Sequence, residues 1–472
     1  MNPLLKDIER LGQSRRDFLR NLLFSAGSLA TASWLSGCHS DSSSSPAVGG
    51  GPAEPGRSRF ADIGPLMAAD DNGVELPEGF SSRVVAVFNE PPVAANPGFL
   101  WHADPDGGAV FRTNDGGWIY VSNSEVRDTT TGGAAGLPGT SREDAERLGL
   151  LRGGVSALRF DADGALVDAY AVQRGTTTNC SGGPTPWGTW VNGEEILDGY
   201  MFECSPLRDG GEPIRLDRFG RKAHEMAALD VEDRAIYHTE DMAGNERFYR
   251  TIFPTATSWP SGGRPDWQQG VLQVLVVDAG IDAARQGPVP IRWVNAIDDG
   301  RPQSDVYLDE TTVFAGNEGC WFLSGFVFFS TKSDDNIWAI DTIGGTIESI
   351  YNPDDGPVGS PADPDEPPMA GVDNITMTLD GEMVVVEDGG DMRAMVLLPD
   401  RTTIPLLRLP GDPAVTEVTG PAFSPDGRRL YVANQRALRN GLPAGFGTGG
   451  VVYEITLPFA VRVAPPLAGL VS

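Results

Sequence analysis

From about residue 75 onward, apolar residues occur in short runs that Gly, Pro, Asp and Asn interrupt, and few of these runs have the period of an amphipathic helix. The chain contains 59 glycines and 37 prolines, which favour turns over helices. Tight turns at residues 379–382 and 424–427 each join two apolar runs. The pattern predicts an all-β chain built from hairpins.

Four hairpins have a similar pattern and define a repeat. They begin at His224, Glu318, Asp373 and Gly420, so successive starts are 94, 55 and 47 residues apart. Because a propeller blade takes about 40 to 50 residues, we interpret the first step as two blades and each later step as one. Less regular units near residues 117–125, 153–170 and 187–202 complete the set, and outer strands are expected at residues 271–278 and 450–456. We predict one domain, a six-bladed β-propeller over residues 59–472.

The N-terminal segment predicts export. Residues 14–19 contain a twin arginine and precede an uncharged apolar run over residues 21–35, which together resemble a twin-arginine signal. A Leu-Ser-Gly-Cys box ends at Cys38 and resembles a lipoprotein cleavage site, which makes residues 1–38 the signal. A transmembrane anchor is the alternative, but the run is shorter than the roughly 20 residues that span a bilayer. Residues 39–58 are rich in Ser, Gly and Pro, so we expect a flexible linker.

Charge and cysteine content restrict the function further. The formal net charge of −29 disfavours binding to nucleic acid or to anionic lipid surfaces. From the signal and the cleavage box we expect a protein in the periplasm or on the outer surface, attached to the membrane only through a lipid at Cys38, and we expect it to be a monomer. The other cysteines are Cys180, Cys204 and Cys320, an odd number without a C-x-x-C motif, which fits neither a disulfide framework nor a zinc ribbon. A bridge between Cys204 and Cys320 stays open.

The segment over residues 179–195 combines a thiol with two adjacent carboxylates, those of Glu194 and Glu195. A thiolate is a soft metal ligand and a carboxylate is a hard one, so the combination suits a cluster of more than one kind of cation. Gly182 and Gly183, with the prolines that follow, are expected to bend the backbone sharply. The alternative is a buried structural cysteine beside an exposed glutamate pair.

Acidic residues recur at one end of the predicted hairpins. In an antiparallel hairpin the start of the first strand and the end of the second lie together, and in a propeller these ends converge on one mouth of the central channel. So many carboxylates would repel one another unless cations lay among them. The sequence therefore favours a metal site over a solvated acidic rim.

In five stretches the chain resembles the PhoX-type alkaline phosphatases and their PhoX-like relatives. The stretches cover residues 178–195, 220–230, 237–254, 373–388 and 420–434. The resemblance implies a six-bladed propeller exported by the twin-arginine route, with an active site that joins iron to calcium and hydrolyses phosphomonoesters. It implies that Cys180 is the thiolate ligand to iron. The further candidate metal ligands are Glu195, Glu225, Glu240, Glu318, Asp373, Asn374, Glu387 and Asp388.

Cationic side chains near these acids are candidates for binding phosphate. Arg247 and Arg393 follow acidic strand ends and are the candidate catalytic residues, since guanidinium groups match phosphate oxygens, although ion pairs with nearby acids are the alternative. Lys332 and Arg436 also lie at strand ends. The predicted function is a metal-dependent phosphomonoester hydrolase, although the chain is shorter than family members with established activity. The alternatives are a calcium-dependent lactonase-like propeller and a non-catalytic metal-binding exported lipoprotein.

Overall fold

The structure is a computed structural model that describes residues 58–126, 141–242, 244–260, 263–354, 365–437 and 449–463. The predicted signal, Cys38 and all of the predicted linker except Ser58 lie outside these residues. None of the described helices is long and apolar enough to cross a membrane.

The described residues form twenty-six strands in six antiparallel sheets, with little helix. The short α-helices are α1 (Arg142–Arg147) and α2 (Ile281–Gln286), and 3₁₀ turns cover Arg59–Asp62, Asp217–Phe219, Trp267–Gln269, Gln303–Asp305 and Lys332–Asp334. The strands are β1 (Ser81–Val87), β2 (Pro105–Arg112), β3 (Trp118–Ser124), β4 (Gly153–Phe160), β5 (Leu166–Thr176), β6 (Asn179–Pro184), β7 (Trp190–Glu194), β8 (Met201–Cys204), β9 (Ile214–Arg215), β10 (His224–Asp230), β11 (Ala235–Glu240), β12 (Tyr249–Ile252), β13 (Val271–Val276), β14 (Val289–Pro290), β15 (Arg292–Asn295), β16 (Asn317–Leu323), β17 (Phe326–Thr331), β18 (Asn336–Asp341), β19 (Thr346–Tyr351), β20 (Val372–Met377), β21 (Met383–Glu387), β22 (Arg393–Leu397), β23 (Thr403–Arg408), β24 (Val418–Phe423), β25 (Arg429–Asn434) and β26 (Val451–Thr456).

Each sheet is one blade of a six-bladed propeller, as predicted. From the channel outward the blades are β2-β3-β4-β5, β6-β7-β8-β9, β10-β11-β12-β13-β15, β16-β17-β18-β19-β14, β20-β21-β22-β23 and β24-β25-β26-β1, numbered here as blades 1 to 6. The innermost strands pack against one another in a ring, in which β24 contacts β2. The N-terminal strand β1 pairs with β26, so the two ends of the described chain close the last blade.

The spacing of 94 residues between His224 and Glu318 was read wrongly as two blades. Both residues lie on innermost strands of neighbouring blades, and the extra length forms additions to blades 3 and 4. The additions are a fifth strand in blade 3, β15, a fifth strand in blade 4, β14, and the helix α2, which contacts β19 of blade 4. Conversely, the units at residues 117–125 and 153–170 belong to a single blade, so the predicted count was right although two of its steps were not.

An apolar cluster fills each interface between neighbouring blades. Between blades 3 and 4 the rings of Phe248 and Phe329 stack with centroids 4.2 Å apart. Between blades 6 and 1, Tyr120 stacks on Tyr431 at 5.0 Å. Burial of these faces stabilises the ring, because removal of apolar surface from water contributes about 25 cal/mol per Å².

Gly182 and Gly183 do not form the sharp bend that the sequence predicted but lie in a strand. Both glycines lie within β6, and the chain turns at residues 185–188, where Gly188 has φ of 84°. The glycines are needed because blades approach closely: a Cβ on Gly183 would lie 1.9 Å from the carbonyl oxygen of Ala227 in blade 3. The close approach of blades 2 and 3 thus depends on the absence of a side chain at Gly183.

Candidate metal centre

A β-bulge interrupts the innermost hairpin of every blade, always at the same end of the channel. The bulge leaves two residues of the innermost strand out of register, and it redirects their side chains. We call the first of these two residues the bulge position. In blades 1 to 6 the bulge positions are Asp106, Cys180, Glu225, Glu318, Asp373 and Gly420.

The second strand of each blade contributes a further residue at this end. We call the last residue of that strand the anchor position and the next residue the exit position. The exit positions are Glu125, Glu195, Asp241, Lys332, Asp388 and Gln435. In all six blades the N–H at the exit position donates to a carbonyl that precedes the innermost strand, for example from Glu195 to Thr178 at 2.8 Å and from Asp388 to Gly371 at 2.8 Å.

Bulge and exit positions together form the acidic end of the channel, which we call the mouth. Carboxylates occupy four of the six bulge positions and four of the six exit positions. Such a concentration of like charges at buried positions is expected only where cations or protons compensate for it.

One group of mouth acids surrounds Cys180. The thiol lies with carboxylate oxygens of Asp106 and Glu125 on one side, and with those of Glu195 and Glu225 on the other, and within each trio the ligand atoms are within 4.8 Å of one another. All five side chains are buried. We call this group the thiol side of the mouth. It combines one sulfur ligand with hard oxygen ligands, as the sequence predicted.

A second group contains oxygen ligands only. Carboxylate oxygens of Asp373, Asp388 and Glu417 lie within 4.8 Å of one another, and we call this group the oxygen side. Lys332 and Arg436 lie against it. The Lys332 Nζ is 3.0 Å from Asp388 and 2.5 Å from Glu318, and an Arg436 Nη is 3.1 Å from Glu417.

Several carboxyls at the mouth are shifted toward the protonated form, whereas the pKa of Asp388 is lowered, because the opposing effect of burial is outweighed by other interactions, above all the charge of Lys332. Burial, reinforced by the charge of Glu125, raises the pKa of Asp106 well above its ordinary value. Burial, with Glu318 and Glu195 as charged neighbours, does the same to the pKa of Glu225. Burial also raises the pKa of Asp373 to about 7, although Lys332 opposes the shift. Charged carboxylates at these positions therefore need cations beside them.

The Cys180 thiol is likewise shifted toward its protonated form. Burial and the charges of Asp106 and Glu225 raise its pKa well above the ordinary value, so the thiolate forms only when a positive charge lies next to it. Its backbone is held firmly, since the Nδ2 of Asn123 donates to the carbonyls of Cys180 and Ser181 at 3.2 and 3.0 Å. A soft metal cation is the partner that stabilises a buried thiolate best.

The residues present fit a metal centre. Glu225 Oε2 is buried and accepts no hydrogen bond from any residue that the structure describes. Cys180 offers a soft ligand on the thiol side, and the oxygen side offers the hard ligands that calcium prefers. Two ligand groups of different chemistry thus share one mouth.

The structure places the predicted metal ligands in two different surroundings. Cys180, Glu195, Glu225, Glu318, Asp373 and Asp388 are at the mouth, and Asn374 is beside Asp373, to which its Nδ2 donates at 2.7 Å. Glu240 and Glu387 are at anchor positions instead. Because side chains alternate between the two sides of a strand, an anchor residue faces its own blade while the next residue faces the mouth.

Both anchor carboxylates are fully used inside their blades. Glu240 accepts from the hydroxyls of Tyr307 and Tyr249 at 2.8 and 3.1 Å and from the backbone N–H of Arg247. Glu387 accepts from the Arg393 guanidinium at 2.6 and 3.1 Å. The prediction that they bind metal stays a prediction, and the proposals below do not use it.

The predicted catalytic arginines are likewise held within their blades. Arg393 is 1% exposed and binds Glu387, Glu366 and the carbonyls of Pro367 and Pro368. Arg247 donates to Thr311 and Asn245, and its guanidinium lies 4.3 Å from the ring centroid of Tyr307. Their role in substrate binding stays a prediction. The cations that the structure brings to the mouth acids are Lys332 and Arg436.

Four acids at this end of the channel are absent from the predicted ligands: Asp106, Glu125 and Asp241 at the mouth, and Glu417, which immediately precedes β24. Gln435 bridges the first two, and its Nε2 donates to Asp106 at 2.5 Å and to Glu125 at 2.6 Å. A signal was present, since Asp106 and Gly107 stand before an apolar run and Glu125 follows the returning strand. Cys204 and Cys320 are buried in different interface clusters with free thiols, so the bridge left open between them does not form.

Fold and mouth define a six-bladed propeller with a mixed thiol and carboxylate centre, and comparisons with known proteins agree with this class. Residues 143–200, which include Cys180 and Glu195, match the family described as Alkaline phosphatase PhoX. The predicted resemblance to PhoX is thereby confirmed for this stretch. Among curated proteins, none matches the chain in sequence.

Solved structures share the fold. PhoX of Pseudomonas fluorescens, in complex with the transition state analogue vanadate, has a TM-score of 0.64 and 16% identity, over 84% of this chain and 98% of that one. A gluconolactonase of Xanthomonas campestris has a TM-score of 0.42 and 12% identity, over 84% and 98% of the two chains. The calcium-binding protein regucalcin of Agrobacterium tumefaciens has a TM-score of 0.37 and 13% identity, over 83% and 98%. The PhoX match shows the propeller fold, and the two weaker matches carry no argument.

Proposed function

We propose that the protein is a metal-dependent phosphomonoester hydrolase whose reaction takes place at the mouth. The observation that carries the proposal is the presence, in one buried site, of two metal-ligand groups and two cationic side chains. A phosphate monoester needs both kinds of partner, because negative charge on its oxygens must be neutralised and a water must be made reactive. The match of residues 143–200 to the PhoX phosphatases supports this reaction over others.

The thiol side and the oxygen side would hold the metals. We assign Cys180, Asp106, Glu125, Glu195 and Glu225 to one centre and Asp373, Asp388 and Glu417 to the other. By resemblance to PhoX, the first would hold iron and the second calcium. Bound metals would supply charge neutralisation and a water of lowered pKa. The high burial of these residues keeps bulk water away from the reacting group.

Lys332 and Arg436 would bind the phosphate oxygens. Both are partly exposed, with side chains 29% and 24% accessible, whereas Arg393 is 1% accessible. The pKa of Lys332 lies well above its ordinary value: burial opposes the charge, but Glu318, Asp373 and Asp388 outweigh burial. In the metal-free protein these acids therefore hold Lys332 in its cationic form. Metals bound to these acids would leave both cations free to hold and orient the substrate phosphate.

The experiment is hydrolysis of an aryl phosphate by purified protein before chelation, after chelation, and after reloading with iron and calcium. We expect activity that disappears on chelation and returns on reloading. Cys180→Ser should abolish it, whereas Cys204→Ser, the matched change at a buried cysteine in a core between blades, should not. The proposal is contradicted if the reloaded protein releases no phosphate at any of the neutral and alkaline pH values tested.

Turnover of a lactone with calcium alone, unaffected by Cys180→Ser, would favour the lactonase alternative. Metal-dependent stability without turnover of either substrate would favour the non-catalytic lipoprotein.

The same proposal includes the cellular location. The twin-arginine pattern over residues 14–19 and the box ending at Cys38 support export and a lipid anchor, with a soluble monomeric propeller outside the inner membrane. Cell fractionation tests this. Wild-type protein should stay with the membrane fraction, while Cys38→Ala should move to the soluble periplasmic fraction; retention of both in the cytoplasm would contradict it.

A further inference from the structure

In every blade the side chain at the anchor position is buried and hydrogen-bonded within the protein. The anchor residues are Ser124, Glu194, Glu240, Thr331, Glu387 and Asn434, each at most 1% exposed. The neutral residues there are also hydrogen-bonded: the Ser124 hydroxyl donates to the carbonyl of Ala103 at 3.0 Å, and the side chains of Thr331 and Asn434 each make more than one hydrogen bond. Blades 2, 3 and 5 place a carboxylate there. These are the three blades whose strand ends with two consecutive acids.

In blades 2 and 5 the anchor carboxylate is clamped by a buried arginine. Arg142 at the start of α1 donates from Nη2 and Nε to Glu194, both at 2.9 Å, and both side chains are at most 1% exposed. Arg393 makes the equivalent paired contact with Glu387. Paired donors fix the orientation of a carboxylate as well as its position.

Each clamped carboxylate also ties together the segments on both sides of the mouth acid. Glu194 accepts from the N–H of Thr177 at 3.2 Å, before the innermost strand, and from that of Tyr200 at 3.1 Å, after the exit residue. Glu387 repeats this pattern with Ala370 at 3.1 Å and Asp391 at 3.2 Å. The backbone that carries the exit residue is thus fixed from two directions.

We propose that Arg142 and Arg393 are positioning residues for the metal centre, which act through Glu194 and Glu387 to hold Glu195 and Asp388 in place. The proposal rests on the proposed function, because it concerns the metals of that site. It assigns the two arginines to different sides: Arg142 serves the thiol side, since Glu195 faces Cys180, and Arg393 serves the oxygen side, since Asp388 faces Asp373 and Glu417.

The physical reason for such clamps is repulsion at the mouth. Glu195 and Asp388 face several other carboxylates, and a strand end that could move would relieve their repulsion by turning them toward solvent. A buried, paired ion pair one residue earlier resists this movement. Residues that orient metal ligands typically change metal affinity by about 10- to 100-fold when they are replaced.

The test uses two metal probes that report the two sides separately. Co²⁺ gives a thiolate charge-transfer absorption when it binds Cys180, and Tb³⁺, added after Co²⁺ saturation, reports the oxygen ligands through its luminescence. Arg142→Lys keeps a positive charge beside the buried Glu194 carboxylate. This variant can therefore be tested even if Arg142→Gln, which leaves that carboxylate unpaired, does not fold. The same holds for Arg393→Lys. Arg401→Lys is the matched control, because Arg401 pairs with Glu348 at 3.1 Å with both side chains 6% exposed.

We expect Arg142→Lys to weaken Co²⁺ binding about 10-fold or more while the Tb³⁺ midpoint stays unchanged, and Arg393→Lys to do the reverse. Arg401→Lys should leave both midpoints unchanged. Equal shifts of both probes in each variant, or unchanged midpoints despite lower melting temperatures, would overturn the inference and leave the proposed function intact. Wild-type protein that binds neither probe would instead contradict the proposed function itself.

Discussion

The ammonium of Lys332 lies 2.5 Å from Glu318 Oε1, at the exit position where blades 1, 2, 3 and 5 carry a carboxylate. Blade 4 thus provides a cation at the position where four other blades provide acids. The replacement leaves the mouth with a positively charged group directed at the oxygen side, beside Asp388 at 3.0 Å. Under the proposed function, this cation would contact the anionic substrate among the acids of the mouth.

Replacement of Lys332 by Met should therefore impair the reaction more than the fold. Loss of one cation directed at a transferring phosphoryl group is expected to lower kcat/KM for an aryl phosphate by about 10²- to 10³-fold in metal-loaded protein. Steady-state kinetics measures this. Arg292→Met removes an exposed cation paired with Asp278 and Glu310 and serves as the control. An unchanged kcat/KM for Lys332→Met would show that the phosphate does not contact this side chain.

Chelated protein should lose stability as the pH rises. The raised pKa values at the mouth mean that the folded chain binds protons more tightly than the unfolded chain, so their contribution is complete below the ordinary carboxyl pKa of about 4. This contribution to stability is lost as the pH rises through about 7, which is the pKa of Asp373 in the folded chain. Denaturant unfolding should give a free energy that falls over this range, and a flatter curve with metals bound. Parallel curves with and without chelator would argue that metals do not bind these carboxylates.

Asp230, which lies away from the mouth, predicts a similar fall in the free energy of unfolding as the pH rises. It is 2% exposed, and burial raises its pKa to about 7, even though its Oδ1 accepts from the N–H of Glu232 and of Asp233. Its charge therefore destabilises the folded chain above that pH. Asp230→Asn keeps the acceptor without the charge, so we expect a gain of about 1–3 kcal/mol in the free energy of unfolding at alkaline pH and none at acidic pH. Asp233→Asn in the same turn is the exposed control, and an equal gain in both variants would refute the assignment to burial.

The close approach of blades 2 and 3 predicts a steric effect. A methyl group on Gly183 would lie 1.9 Å from the Ala227 carbonyl oxygen, so Gly183→Ala must displace one inner strand, at a cost of about 1–3 kcal/mol. Gly64→Ala, where no atom lies within 4 Å, should be neutral. Thermal unfolding of the two variants compares them. Equal melting temperatures would mean that the inner strands are less tightly packed than described.

Much of the fold followed from the repeat of hairpins, because each blade has its own period-two pattern and its own turn. The spacing between His224 and Glu318 gave a wrong prediction because the chain between β13 and β16 adds one extra strand to each of blades 3 and 4, together with a helix. Length alone does not distinguish enlarged blades from an additional blade. The closure by β1 was not predicted either, since pairing with β26 joins residues about 370 positions apart.

The site was predicted less completely than the fold. Adjacent acids such as Glu387 and Asp388 were treated alike, although strand geometry directs the first into the blade and the second to the mouth. Asp106 was missed because its hairpin is irregular in sequence, while its bulge places it opposite Cys180. Glu417 reaches the oxygen side through a hairpin with a different register, which spacing along the chain does not reveal.

The metal content of the purified protein, compared between Cys180→Ser and Cys204→Ser, tests the central claim most directly. Both changes remove one buried thiol, but only Cys180 lies at the mouth. Elemental analysis should find iron and calcium in wild-type protein and in Cys204→Ser, with iron lost from Cys180→Ser. Protein that binds no metal, or equal iron in both variants, would contradict a metal centre built on Cys180.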